Sequence, residues 1–265
     1  MWSHVVRWQD LLVPVSVDAG VSGLDLSEGW PDRWMVTWRT GRERVSRSVR
    51  DLIQAPVVDG GPIRWFSWQR GQRHRPGLQF LVSTGRHHGT ESLEEARLLL
   101  ALDFAGDLVG VVSQPLKLRF GTVEKSREHT PDFLAVTRWG IWLIDVRPEA
   151  LVREADRESF AAAAEVAVAC GWRYVVAARW REHVGPALDA LSSQRRPLSD
   201  PLGLRPGLLA SVTRRGAAFG EVAAASACEP VARAQLLHLI WHRQLGVDLA
   251  EPLADRSILV PGAAG

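Results

Sequence analysis

Residues 129–148, HTPDFLAVTRWGIWLIDVRP, contain two short apolar runs, DFLAVT and IWLIDVR, separated by Arg138, Trp139 and Gly140. Runs rich in β-branched and aromatic residues on either side of a Gly-containing break predict a β-hairpin. Centring the turn on Trp139 and Gly140 sets Asp132 opposite Arg147. It leaves Asp145 on the same face, because strand side chains alternate with period two. Two carboxylates and a guanidinium then converge at one end of the hairpin. Asp145 also interrupts an apolar run, where a carboxylate is costly unless paired or metal-bound. Hard divalent cations take one or two carboxylates and complete their shell with water and phosphate oxygens. An ion held in this way generates a hydroxide and stabilises charge on a phosphodiester.

Outward from the hairpin, helical spacing of Leu93, Ala96, Leu99 and Leu100 predicts a helix over Ser92–Phe104, with Glu91, Glu94 and Glu95 at its start. Glu91 and Glu95 share one face. Ser92 and Glu95 also have the spacing of a capping box, so Glu95 is open between a cap and a ligand. Asp132 is likewise open between ordinary turn chemistry after Pro131 and a ligand, and Asp145 between an ion pair with Arg147 and a ligand. LVGVV and LKLRF read as strands, Glu154–Cys170 as an Ala-rich helix, WRYVVAA from Trp172 as a strand and Arg181–Ser192 as a helix. This alternation predicts an α/β fold with a mixed sheet.

Seven tryptophans lie in the first quarter, from Trp2 to Trp68, and residues 1–82 read as a small β-rich lobe. The expected organisation continues with a core over 83–195 and a Pro-rich linker over 196–207. A helical lobe over 208–265 has a pattern compatible with a winged helix-turn-helix.

The 265 residues are 46% hydrophobic and 23% charged, a globular composition sized for one large domain or two modest ones. Lys117 and Lys125 are the only lysines among 32 basic residues, and the formal net charge is +2. Arginine suits phosphate recognition, although the codon bias of a GC-rich genome accounts for the same excess. Arg64, Arg70, Arg73 and Arg75 alternate with Trp65, Phe66 and Trp68 in RWFSWQRGQRHRPG, a pattern expected to contact a nucleic-acid backbone. Two separated cysteines, Cys170 and Cys228, exclude a disulfide scaffold and a cysteine zinc cluster, and a reducing cytoplasm is expected. No stretch approaches the length of a membrane span, and no export signal is evident, so no membrane partner is expected. His238 and His242 lack the glutamate and third ligand of a metal site and read as structural. His87, His88 and His129 flank the acidic cluster in sequence and read as exposed loop residues, with contact to DNA or to the outer shell of a metal as the alternative.

The segments RWFSWQRGQRHRPGLQF, STGRHHGTESLEEARLLLALDFAGDLVGVVSQP, HTPDF, IDVRP, CGWRYVV and LLHLIWHRQLGVDLAEPL together resemble the PD-(D/E)xK nucleases. Within these, they resemble the TnsA-like endonuclease subunits of heteromeric transposases. The resemblance implies a restriction-endonuclease-like core. It implies Glu95, Asp132 and Asp145 as ligands of Mg²⁺, with Mn²⁺ as a substitute, and these three with Arg147 as the catalytic set. Gln114, in SQP, matches the family as well, and Glu91 is a further supporting carboxylate. Arg147 departs from the general pattern, which has lysine. Arginine keeps its proton at any useful pH, so its expected role is electrostatic, and Lys117 on the neighbouring strand is the candidate ammonium.

The function implied is metal-dependent cleavage of one strand at transposon ends during cut-and-paste transposition. The implied partners are double-stranded DNA, a TnsB-like DDE transposase and a TnsC-like ATPase docking on the C-terminal lobe. The rival readings are another PD-(D/E)xK enzyme of restriction or repair, and a DNA-binding transposition assembly factor whose nuclease site has decayed.

Overall fold

In a computed structural model the hairpin forms from β8 (Phe133–Thr137) and β9 (Gly140–Val146). The structure describes the chain except Pro14, Ile53, Gln54, Pro56, residues 65–75, Arg214 and residues 263–265. Thr137 pairs with Gly140, so the two-residue turn is Arg138–Trp139, one position earlier than the sequence predicts. The Thr137 hydroxyl closes the turn, donating to the Gly140 carbonyl at 2.9 Å and accepting from the Trp139 N–H at 3.2 Å. The register therefore moves by two residues. Pairing ends at Phe133–Ile144, and the next position on each strand is Asp132 and Asp145, so Asp145 replaces Arg147 as the residue across from Asp132. The shared face survives because a shift of two preserves the alternation.

The fold is mixed α/β. By its contacts the chain divides into a unit of residues 13–99 and 107–179 and a second unit of residues 1–12, 100–106 and 180–265. This grouping differs from lobes bounded at 82, 195 and 207. In the first unit, β8 and β9 are the central strands of a four-stranded sheet with β5 (Leu108–Ser113) and β10 (Arg173–Ala177), in the order β10-β9-β8-β5. The β9–β10 step is parallel and the others antiparallel. A parallel step needs a crossover. The crossover is helical over Glu154–Ala169, where Ala161, Ala162, Ala163 and Ala167 bury a narrow face. Gly20 belongs to the same close packing, since a Cβ there would overlap the Arg157 carbonyl.

The N-terminal strands do not form a lobe of their own. β1 (Met35–Thr40) pairs with β2 (Glu43–Ser48) and with β6 (Leu116–Gly121), which pairs with β7 (Ser126–His129), giving the sheet β2-β1-β6-β7. Trp34 and Trp38 enter one core with Leu118, Phe120, Leu134 and Leu143. Pairing of β1 with β6 joins residues some 80 positions apart in sequence, which local periodicity cannot register. A separate hairpin joins β3 (Gly77–Leu81) to β4 (Arg86–Thr90).

Helix α1 (Leu93–Ala105) contributes residues to Leu99 to the first unit and those from Leu100 to the second. The second unit has a core of Leu11, Phe104, Leu188, Leu191, Leu208 and Leu236, among others. Its helices over Leu204–Ser211, Phe219–Ala224 and Glu229–Trp241 accompany a small antiparallel sheet of residues 217–218, 245–247 and 258–261. The Pro-rich stretch is strapped down rather than free. Arg205 donates to Gln235 Oε1 at 2.7 Å, Gln235 donates to the Ser199 carbonyl at 2.7 Å, and Asp200 accepts the N–H groups of Leu204 and Arg205. His238 and His242 contact the carbonyls of Gln194 and Arg195.

Deleting residues from Leu208 onward therefore removes partners of Phe104, Leu188 and Leu191 from one shared core. Each such side chain loses about 1.5–3 kcal/mol of burial. The truncated chain is expected to lose the cooperative melting of this unit and to bind a hydrophobic dye. A truncated chain that melts as sharply as the intact protein would refute the shared core.

Candidate active site

The end of the hairpin opens on a cavity of about 550 Å³ whose lining includes Glu91, Glu95, His129, Asp132, Asp145 and Arg147. Four elements of the first unit supply these groups. Asp132 and Asp145 come from the hairpin, Glu95 from the first turn of α1, His129 from the end of β7, and Arg147 follows β9.

Asp145 is only 2% exposed, and its partners are not the Arg147 expected from sequence. His129 Nε2 lies 2.9 Å from Oδ1 and 3.1 Å from Oδ2, and the Tyr174 hydroxyl donates to Oδ2 at 2.7 Å. His129 is thus a strand residue with a half-buried ring against Phe160, not an exposed loop histidine. Burial, and then the charge of Asp145, push the Tyr174 hydroxyl well above the usual tyrosine range, so it is held as a donor.

Asp132 accepts the Val146 N–H through Oδ2 at 2.7 Å, and Oδ1 has no partner among the described residues. Burial raises its carboxyl well above the usual aspartate range. The negative charges of Asp145 and Glu95 raise it further, against the lowering effect of the Val146 bond.

Glu95 forms the cap that its spacing with Ser92 allows. Oε1 accepts from the Ser92 hydroxyl at 2.9 Å, Oε2 accepts from the Glu91 N–H at 2.7 Å, and the Glu95 N–H donates to Ser92 Oγ at 3.1 Å. Burial raises the Glu95 carboxyl, and these hydrogen bonds offset part of the rise.

Glu91 pairs at 3.0 Å with Arg64, whose Nε donates to Gln114 Oε1 at 2.8 Å. Gln114 has φ +46° although it is not glycine, a conformation costing about 1–3 kcal/mol. It is held there by its own N–H, which donates to the Asp132 carbonyl at 2.7 Å, and by its carbonyl, which accepts from Ile63. Gln114 thus supports the backbone that carries Asp132. A second cavity, of about 240 Å³, is lined by Arg64, Gln114, His87 and His88 and shares Glu91 and Glu95 with the first.

Arg147 lies on the cavity wall with Nε donating to the Leu151 carbonyl at 3.2 Å and a terminal nitrogen 3.4 Å from Asp156. Lys117 pairs with Glu128 at 2.6 Å and is not among the cavity-lining residues, so it does not supply the missing ammonium as the structure stands. Arg70, Arg73 and Arg75 lie outside the described residues.

Among the described residues, no three His, Cys, Asp or Glu side chains gather closely enough to hold an ion unaided. The facing aspartates nonetheless fit a hard divalent cation. Asp132 Oδ1 is unpartnered among the described residues, two carboxylates repel across the hairpin end, and Mg²⁺ commonly binds through one or two carboxylates plus water and phosphate. Sequence reading missed Tyr174, and it placed His129 beside the acidic cluster without showing that its partner is Asp145. The usable signal was slight: Tyr174 is the only tyrosine in the chain, set in an apolar strand.

The chain matches no family model and no curated protein. Among the described residues, no helix is long and apolar enough to cross a membrane.

A carboxyl raised in the folded state stabilises the protein at acid pH, and that contribution is lost as pH rises through the raised value. Metal-free protein is therefore expected to lose thermal stability as pH rises from the ordinary aspartate range through the raised value, and Asp132→Asn is expected to flatten that decline. Thermal melts in a chelator test this; an identical slope in the variant would remove Asp132 as its source.

Proposed function

We propose that the chain is a metal-dependent DNA endonuclease of the PD-(D/E)xK class, acting as the strand-cleaving subunit of a TnsA-like heteromeric transposase. The observation that carries this reading is the pair Asp132 and Asp145, face to face at one hairpin end inside a cavity. The succession of α1, β5, β8, β9, crossover helix and β10, with β9 and β10 parallel, supports a restriction-endonuclease-like core. In the second unit, the helices over Leu204–Ser211, Phe219–Ala224 and Glu229–Trp241 with the small antiparallel sheet support a winged-helix-like lobe for a TnsC-like ATPase. A TnsB-like DDE transposase would cut the other strand.

Asp132 and Asp145 would hold Mg²⁺ or Mn²⁺, which when bound supplies an activated water and charge neutralisation at the phosphate. Glu95 caps α1 and adds negative potential at the cavity wall, and ligation by it would compete with its bonds to Ser92 and Glu91. Arg147 lines the same cavity with a guanidinium that would stabilise phosphate charge without accepting a proton. Arg64, fixed by Gln114 and Glu91, extends positive charge beside the acidic wall. The assembly-factor reading rests on the arginine at position 147 and on Lys117 being engaged with Glu128.

Asp132→Ala and Asp145→Ala are each expected to abolish Mg²⁺-dependent nicking of transposon-end DNA, tested with and without partner subunits, while DNA binding persists. Wild-type nicking in either variant would refute the assignment.

Arg147→Lys is expected to retain measurable cleavage, and Arg147→Ala to lose about 10²-fold or more in single-turnover rate. Because Asp145 has other partners, the alanine change is expected to leave the melting temperature nearly unchanged. A large fall in stability with unchanged cleavage would make Arg147 a structural residue.

A further inference from the structure

We propose that Tyr174 and His129 are positioning residues that clamp Asp145 from two sides, leaving a single oxygen direction, on Oδ1, to face a divalent cation. This rests on the metal-site reading above and specifies how that site is built.

An ionised carboxylate offers about four lone-pair directions. Tyr174 occupies one on Oδ2 at 2.7 Å, and the forked contact from His129 Nε2, at 2.9 and 3.1 Å, occupies one on each oxygen. The remaining direction belongs to Oδ1. The two clamps come from different sheets. Tyr174 is on β10, beside β9, and His129 ends β7, the edge of the sheet β2-β1-β6-β7. The rotamer of Asp145 is thereby tied to the packing of both sheets.

Asp132 is held in the same manner on one oxygen only, by the Val146 N–H on Oδ2, so its Oδ1 is also unpartnered among the described residues. The single direction left on Asp145 and the unpartnered oxygen of Asp132 leave room for the waters of Mg²⁺, which demands near-ideal geometry and retains several of them. Hydrogen-bond partners that orient a ligating carboxylate typically govern metal affinity by about 10–100-fold.

Because Tyr174 is the only tyrosine, protein carrying carbon-13 at tyrosine Cζ gives one resonance, from the ring carbon bearing this hydroxyl. Titrating the metal-free full chain with Mg²⁺ is expected to shift that resonance saturably, and Asp145→Asn is expected to abolish the shift. By calorimetry, Tyr174→Phe is expected to bind Mg²⁺ about 10–100-fold more weakly than wild type. His129→Gln, which keeps an N–H donor, is expected to bind more tightly than His129→Ala. If the alanine variant fails to fold, His129→Gln against His129→Leu provides the same comparison.

If Tyr174→Phe binds Mg²⁺ as tightly as wild type while Asp132→Ala and Asp145→Ala do not bind, the clamp is wrong and the metal site stands. If the aspartate variants bind Mg²⁺ like wild type, the metal site itself is wrong.

Discussion

Two carboxylates facing each other at the end of one hairpin are the constraint around which the first unit is arranged. Like charges at adjoining positions destabilise a sheet, and burial deepens the penalty. The fold offsets it with donors brought from elsewhere. His129 reaches Asp145 from one sheet and Tyr174 from the neighbouring strand, while the backbone of Val146 reaches Asp132. Hydrogen bonds to charged groups contribute about 1.5–3 kcal/mol each. They orient the carboxylates but leave an oxygen of Asp132 without a partner among the described residues and the Asp132 carboxyl raised, an arrangement that a cation would relieve.

The acidic wall is kept in place by a chain of polar contacts that doubles as local structure. Ser92 and Glu95 cap α1, Glu91 pairs with Arg64, and Arg64 bonds Gln114, whose backbone holds Asp132. A strained residue before Pro115, kept at positive φ by these contacts, links the entry of β6 to the carboxylate position. One set of bonds thus ends a strand, starts a helix and aligns the cavity. Arg147 stands apart from it, anchored to Leu151 and Asp156, so its charge lies at the rim rather than within the carboxylate cluster.

The second unit follows a different logic. Its core gathers side chains from the N-terminal segment, the end of α1 and the stretch from Val184 to Leu259. Pro197 and Pro201 lie in the irregular stretch before the helix over Leu204–Ser211, which holds Pro206 in its first turn, and the Ser199 carbonyl and the capping Asp200 are used by Gln235 and Arg205, so local breaking of helix and strand does not separate two cores here. Proline signals an interrupted backbone. It does not reveal whether the surrounding residues pack.

What the sequence by itself determined is local and periodic: the hairpin, the helix with its Ser92–Glu95 cap, the alternation that makes the fold α/β, and the common face of Asp132 and Asp145. Period-two alternation kept that face correct even though the turn formed one residue earlier and the register moved by two. Tertiary structure alone decided what lies across the chain. It joined β1 to β6, brought His129 and Tyr174 to Asp145, turned Arg147 to Asp156, and tied Lys117 to Glu128. Each of these is a contact between segments whose separation carries no periodic signal. Their partners are selected by sheet pairing and by the need to satisfy buried charge, and both are defined only once the chain is folded.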